Sequence, residues 1–153
     1  MKSFDVSKII FTAPPPGFQP TIEAAGCFLE CEGLLLYLLR ASGCPEENTW
    51  CIPGGKLEAK ESPRDAIIRE VFEEIDLNID DSDLSFFQSF YKRLPSHDSI
   101  FHVFRKPLLT KHIPSLRPKE HVRFQWITPQ EGQKIPLISG GTEVLNFYLN
   151  HIK

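Results

Sequence analysis

Long hydrophobic runs are missing from this 153-residue chain. Nowhere do apolar residues continue for the ~18 positions of a membrane-spanning helix. Residues 1–12, MKSFDVSKIIFT, also lack the apolar core and small-residue cleavage site of a secretory leader. A cytoplasmic protein without membrane contact is the expectation. Neither charge is in excess, because 17 basic side chains stand against 20 acidic ones for a formal charge of −3. That balance leaves no electrostatic footprint for nucleic acid. Cysteine is sparse, with Cys27, Cys31, Cys44 and Cys51 all in the first third of the chain. A chain of this length buries roughly two thirds of its unfolded surface and needs no covalent staples. Cys27 and Cys31, four apart on a candidate strand, point the same way rather than pair. CxxC spacing is absent and the five histidines are scattered, so zinc is not indicated and the thiols are read as reduced. With no internal repeat and no low-complexity tract, residues 1–153 are expected to form one domain.

Acid is what the chain concentrates, and it does so in residues 53–77, PGGKLEAKESPRDAIIREVFEEIDL. Ser62 is a good N-cap, Pro63 suits the first helical position and Asp65 follows three residues after the cap, so a helix begins near Pro63. Ile67, Ile68, Val71, Phe72 and Ile75 recur with helical spacing and are expected to face the core. Glu70, Glu73 and Glu74 stand at i, i+3 and i+4, with small Ala66 one turn earlier, and share a second face. Like charges at these spacings repel by a few tenths of a kcal/mol per pair. A solvated acidic face is the plain explanation. A divalent cation is the chemical one, since magnesium takes oxygen ligands from carboxylates and substrate phosphates together. Gly54 and Gly55, just upstream, add exposed backbone that a ligand can approach closely and a carbonyl that can reach a metal.

Gly55, five residues, Glu61, seven residues, then Arg69, Glu70, Val71, Phe72, Glu73, Glu74, Ile75, Asp76 and Leu77 resemble the Nudix box, G-x5-E-x7-R-E-U-x-E-E-x-G-U with U aliphatic. Eight of the nine fixed positions match, and the departure is Asp76 in place of the final glycine. Glycine there serves a left-handed helix exit, which aspartate reaches at a cost of about 1 kcal/mol. The resemblance implies an α/β/α sandwich with a mixed β-sheet. It also implies a magnesium-dependent hydrolase of pyrophosphate bonds, with manganese as a substitute metal. On that resemblance Glu70, Glu73 and Glu74, helped by the Gly54 carbonyl, are the metal ligands. Glu70 and Glu73 act in catalysis, and Arg69 orients carboxylates with Glu61 as its bidentate partner. Glu120 resembles a late carboxylate that some members bring to the metal or the water, and is equally a solvated loop residue. Gly55, Lys56, Arg40 and Trp50 are candidates to meet substrate, the cations as phosphate contacts. Trp50, Phe28 and Trp126 offer rings for a base, or serve only as core.

The WxxPGGKxE stretch is similar to that of small nucleotide-cleansing members. A small-molecule nucleotide is therefore the expected partner, first a nucleoside triphosphate, oxidised ones included, cleaved to nucleoside monophosphate and pyrophosphate. ADP-ribose, nucleotide sugars and dinucleoside polyphosphates follow, and neither Tyr91 nor Pro95 settles a subfamily. A silent nucleotide-binding module and an isoprenoid diphosphate isomerase are the readings from other classes, and the retained Glu70, Glu73 and Glu74 count against the first. Many family members pair, so the resemblance allows a homodimer, but no stretch identifies a contact surface and the oligomeric state stays open.

The remaining elements fit this outline. Residues 8–12 are a short strand candidate, ended by the connection Ala13-Pro14-Pro15-Pro16-Gly17. Residues 21–31 and 34–40 read as a hairpin about Glu32-Gly33, and the polar loop 41–49 leads to Trp50-Cys51-Ile52. Residues 84–93, 99–106 and 122–127 read as strands, and the amphipathic stretch 142–152 as a closing helix. Strands interrupted by one helix and followed by another give the fold class α+β.

Overall fold

The computed structural model describes residues 8–152. Residues 1–7, on which part of the leader expectation rests, lie outside the described residues. A mixed sheet forms the centre. Its main path runs β1 (Ile10–Phe11), β6 (Ser85–Arg93), β7 (Asp98–Pro107), β2 (Pro20–Cys31), β3 (Leu34–Arg40) and β4 (Trp50–Cys51). Two further strands join from the side, β5 (Gly54–Lys56) against β2 and β8 (His121–Ile127) against β3. Among the described strands β2 and β7 pair in parallel and the other strand pairs are antiparallel.

Turn chemistry sets the first hairpin. Glu32 and Gly33 both take positive φ, at 54° and 77°, which is the primed turn that matches strand twist, and it brings Cys31 opposite Leu34. The β6–β7 hairpin is closed by an ion pair in which Arg93 Nε donates to Asp98 Oδ1 at 3.0 Å and Nη2 to Oδ2 at 3.1 Å.

Alternation along β2 and β3 then sorts the core into two layers. Ala25, Cys27, Leu29, Leu36 and Leu38 face α1 (Pro63–Ile75), meeting Ala66, Ile67, Val71 and Ile75. Phe28, Leu35 and Tyr37 face the other way, against Val144, Leu145 and Tyr148 of α3 (Gly141–His151). The expected α/β/α sandwich is present, with one helix layer on each face. All four cysteines are free thiols.

Two short elements escaped sequence reading. A four-residue helix, α2 (Pro129–Gly132), is held by a capping box between Thr128 and Glu131. A single 3-10 turn over Asp81–Asp83 follows the Asp80 side chain, which accepts from the Ser82 N–H. Gly54 and Gly55, expected as exposed backbone, are instead part of a strand. A Cβ on Gly54 would sit 2.1 Å from the Ala25 carbonyl oxygen, so these glycines let β5 close on β2.

Helix α1 begins as expected, with Ser62 Oγ accepting from Asp65 N at 3.0 Å and Pro63 first in the helix. It ends on Asp76 in the left-handed region, φ 57° and ψ 42°, whose N–H bonds back to the Phe72 carbonyl. Aspartate therefore takes the conformation that the box glycine usually supplies. Phe72 departs from expectation, being 48 % exposed. Seven residues turn a helix by about 700°, so Glu74 lies only about 20° from Ile67, whereas Phe72 lies about 100° beyond Val71. Docking of β5 against the Ala66 and Glu70 flank rotates the buried arc toward the acids and leaves Phe72 outside.

Candidate active site

The site grows from the contact between β5 and the acidic flank of α1. Glu70 closes over Gly55 so tightly that a Cβ there would sit 2.4 Å from its carboxyl carbon. Gly54 N–H donates to Glu74 Oε1 at 2.8 Å, and Glu74 is only 3 % exposed. The acids read as one surface patch are thus graded in depth. Glu74 is buried, Glu70 is half-buried, and Glu73 keeps 38 % of its side chain in solvent.

Arg69 ties the patch together. Its Nε and Nη2 donate to Glu61 Oε2 and Oε1, each at 2.8 Å, giving the expected bidentate pair. Nη1 donates to Glu70 Oε1 at 2.8 Å and to Glu73 Oε2 at 3.2 Å, and Nη2 reaches the Lys56 carbonyl at 3.1 Å. One guanidinium so joins the loop before the helix, the strand and two box acids. Hydrogen bonds from Arg69, then the Glu58 N–H, hold the Glu61 carboxyl down from its ordinary 4.5 to about 2.

Glu70 and Glu74 are shifted the other way. Burial is the main cause for both; Glu73 and Glu120 add to it at Glu70, and Glu70 and Glu120 at Glu74. Glu120 is exposed, fixed through its carbonyl, which accepts from Ala41 N at 2.8 Å, and its charge reaches both buried acids. Among the described residues, no three His, Cys, Asp or Glu side chains are already drawn into a metal-holding cluster. The donor set nevertheless fits a hard divalent cation. It consists of oxygen ligands whose mutual repulsion opposes ionisation, and whose Arg69 clasp leaves Glu74 untouched.

A cavity of about 460 Å³ opens beside this cluster, with Gly54, Gly55 and Lys56 on its rim. Arg40 also lines it, its Nε turned to the Pro45 carbonyl at 2.6 Å. Phe28, Trp50 and Phe101 give it aromatic walls. Trp126 is absent from that lining, because β8 turns it toward the α1 layer, where Nε1 donates to the His112 carbonyl at 3.0 Å. Two lining groups went unnoticed in the sequence. Glu46 accepts from Ser139 N at 2.7 Å and from Ser139 Oγ at 2.5 Å, clasping loop 41–49 to the segment before α3. Lys92 projects from β6, and burial, opposed by Glu46 and Glu143, lowers its pKa. No local pattern marks Glu46 or Lys92, since only the fold sets them against one cavity.

His121 was also passed over. It is 5 % exposed, and burial followed by the Arg40 charge pushes it down to about 4, so the imidazole is neutral near pH 7. It lies 3.3 Å from Glu74 through Nδ1, a contact that is not an ion pair near pH 7 because the imidazole is neutral.

A charged, oxygen-rich cluster beside an aromatic cavity on an α/β/α sandwich defines a class of enzyme that works on phosphoanhydrides of small molecules. A model of the NUDIX domain matches residues 20–146, and the chain belongs to the Nudix family as a Nudix pyrophosphohydrolase. It is similar to the CTP pyrophosphohydrolase of Escherichia coli (strain K12), 26 % identical over 132 residues that cover 84 % of this chain and 91 % of that protein. The MutT protein from Methanosarcina mazei Go1 superposes with a TM-score of 0.74 at 20 % identity, covering 88 % of this chain and 97 % of that one. A C. elegans Ap4A hydrolase shares the fold at a TM-score of 0.69 and 18 % identity, with coverage of 85 % and 96 %. Among the described residues no helix is long and apolar enough to cross a membrane.

Proposed function

We propose that this chain, acting as a single domain, hydrolyses a nucleoside triphosphate at the bridge between its α- and β-phosphates, releasing nucleoside monophosphate and pyrophosphate. The observation that carries the reading is the cavity, whose aromatic lining suits a base and sugar and which Gly54, Gly55 and Lys56 beside the acidic helix also line. A nucleotide laid along it brings its phosphates to Glu70, Glu73 and Glu74. Bound magnesium, or manganese in its place, neutralises phosphate oxygens and acidifies a water.

The chain's own residues do the rest. Glu70, Glu73, Glu74 and the Gly54 carbonyl would hold the cation, with Glu120 as a further carboxylate. One of these carboxylates takes the water's proton as its oxygen bonds to phosphorus and the bridging P–O bond breaks. Arg69, anchored on Glu61, keeps Glu70 and Glu73 from swinging away. Lys56 and Arg40 meet the outer phosphates, and Trp50 and Phe28 bound the base. Glu46 and Lys92 supply polar contacts to its edge.

The test is magnesium-dependent hydrolysis of a panel with every product identified. CTP heads it because of the Escherichia coli relative's name, followed by the other triphosphates, oxidised triphosphates, ADP-ribose and dinucleoside polyphosphates. A triphosphate cleaved to monophosphate and pyrophosphate supports the reading. Preference for ADP-ribose or a dinucleoside polyphosphate overturns the substrate, and inactivity on every nucleotide overturns the class.

A further inference from the structure

His121 opens β8 against Glu74, and three elements meet at its ring. Cys51 of β4 places Sγ 3.6 Å from Nε2, and Glu74 of α1 places Oε2 3.3 Å from Nδ1. Nδ1 makes no hydrogen bond within the described residues although it is fully enclosed. An enclosed ring nitrogen facing only a carboxylate at that distance is costly unless the contact serves something. The two oxygens of Glu74 have different neighbours: Gly54 N–H bonds to one at 2.8 Å, and the imidazole faces the other at 3.3 Å without a hydrogen bond.

We infer that His121 is a positioning residue for Glu74, its enclosed Nδ1 facing one carboxylate oxygen at 3.3 Å while the Gly54 N–H bonds to the other, so that the carboxylate is kept turned toward the cation site. The inference rests on Glu74 being a cation ligand, as set out under the proposed function. The tautomer follows from the neighbours. A Cys51 S–H donating to Nε2 puts the ring proton on Nδ1, where it aims at Glu74. A carboxylate on a rigid helix still turns about its last bonds, and a second donor removes that freedom. Outer contacts of this kind set ligand orientation, and their loss commonly lowers metal affinity about 10- to 100-fold. Cys51 stands one step further out and orients the ring alone.

Binding of Mn2+ to the metal-free protein, followed without substrate by the loss of the free-ion electron paramagnetic resonance signal, tests this. Four proteins are compared: wild type, His121→Phe, His121→Asn and Glu74→Gln, each checked for folding by circular dichroism. Phenylalanine keeps the ring volume without a donor, whereas the asparagine amide N–H falls where Nδ1–H was. The expected result is Mn2+ affinity about 10-fold or more weaker in His121→Phe and within about 3-fold of wild type in His121→Asn. Should His121→Phe fail to fold, His121→Gln replaces it, since its amide reaches the Nε2 place and still leaves Glu74 without a donor. Equal weakening in the Asn and donor-free variants means the ring only fills space and overturns the inference. Unchanged affinity in the donor-free variant, with Glu74→Gln weakened, overturns it too, while leaving Glu74 a ligand. Unchanged affinity in Glu74→Gln instead overturns the ligand assignment itself.

Discussion

The two faces of the sheet are packed with different residues and do different work. Toward α1 the core is mainly aliphatic, built from Ala25, Leu29, Leu36, Leu38, Ile67, Val71 and Ile75, with Phe104 the buried ring among them. Toward α3 it is aromatic, with Phe28, Tyr37, Trp50, Phe90 and Tyr148. Small and branched side chains interdigitate closely and hold a helix at fixed height, which is what a cluster of ionic ligands needs. Large flat rings leave gaps at their edges, and on this face the gap is the cavity. Rigid chemistry sits on the aliphatic side, and adaptable recognition on the aromatic one.

The comparison breaks first at the acids. Glu73→Gln keeps shape and removes a charge, so turnover should fall about 100- to 1000-fold while the thermal midpoint hardly moves. Retained activity would show that the helix face is not the metal face. Deletion of apolar bulk should then read differently on the two sides. Ile67→Ala opens a void beneath α1 and is expected to cost about 2–5 kcal/mol in denaturant unfolding. Phe101→Ala, on the cavity wall, should raise KM about 10-fold with kcat within about 2-fold, a loss of ~1.4 kcal/mol in binding. An equal KM effect from Ile67→Ala in folded protein would erase the distinction between the faces.

Smaller effects sharpen it. Glu61 is held near 2 when folded against an ordinary 4.5. Its pairing with Arg69 therefore stabilises the protein fully above pH 4.5, and that part is lost as pH falls toward 2. Acid titration of stability should be shallower in Glu61→Gln over that window, and an identical slope would mean the clasp adds nothing. Smallest of all, Asp76→Gly relieves a left-handed aspartate and should stabilise by about 1 kcal/mol with the rate unchanged. A changed rate would give Asp76 a part in the site.

Local signals carried much of this. Ser62, Pro63 and Asp65 marked the helix start because capping is a matter of neighbouring residues, and Glu32-Gly33 marked a hairpin for the same reason. Arg69 and Glu61 were legible as partners through the box spacing and meet as expected. Phe72 misled because helical periodicity gives a stripe's width without saying where its centre will lie. The short α2 helix and the strand at Gly54–Lys56 lay below the length at which periodicity speaks.

What the sequence determined by itself was the family, the acids and their order along one helix, because a fixed spacing on a regular helix is already geometry. Depth was decided by the tertiary structure. Only the approach of β5 buries Glu74 and not Glu73, and only the meeting of β4, β8 and α1 sets Cys51, His121 and Glu74 in a row. The cavity belongs to the same category: Glu46, Lys92 and Phe101 are far apart along the chain, and no local rule fixes which distant side chains share a wall once the sheet has closed.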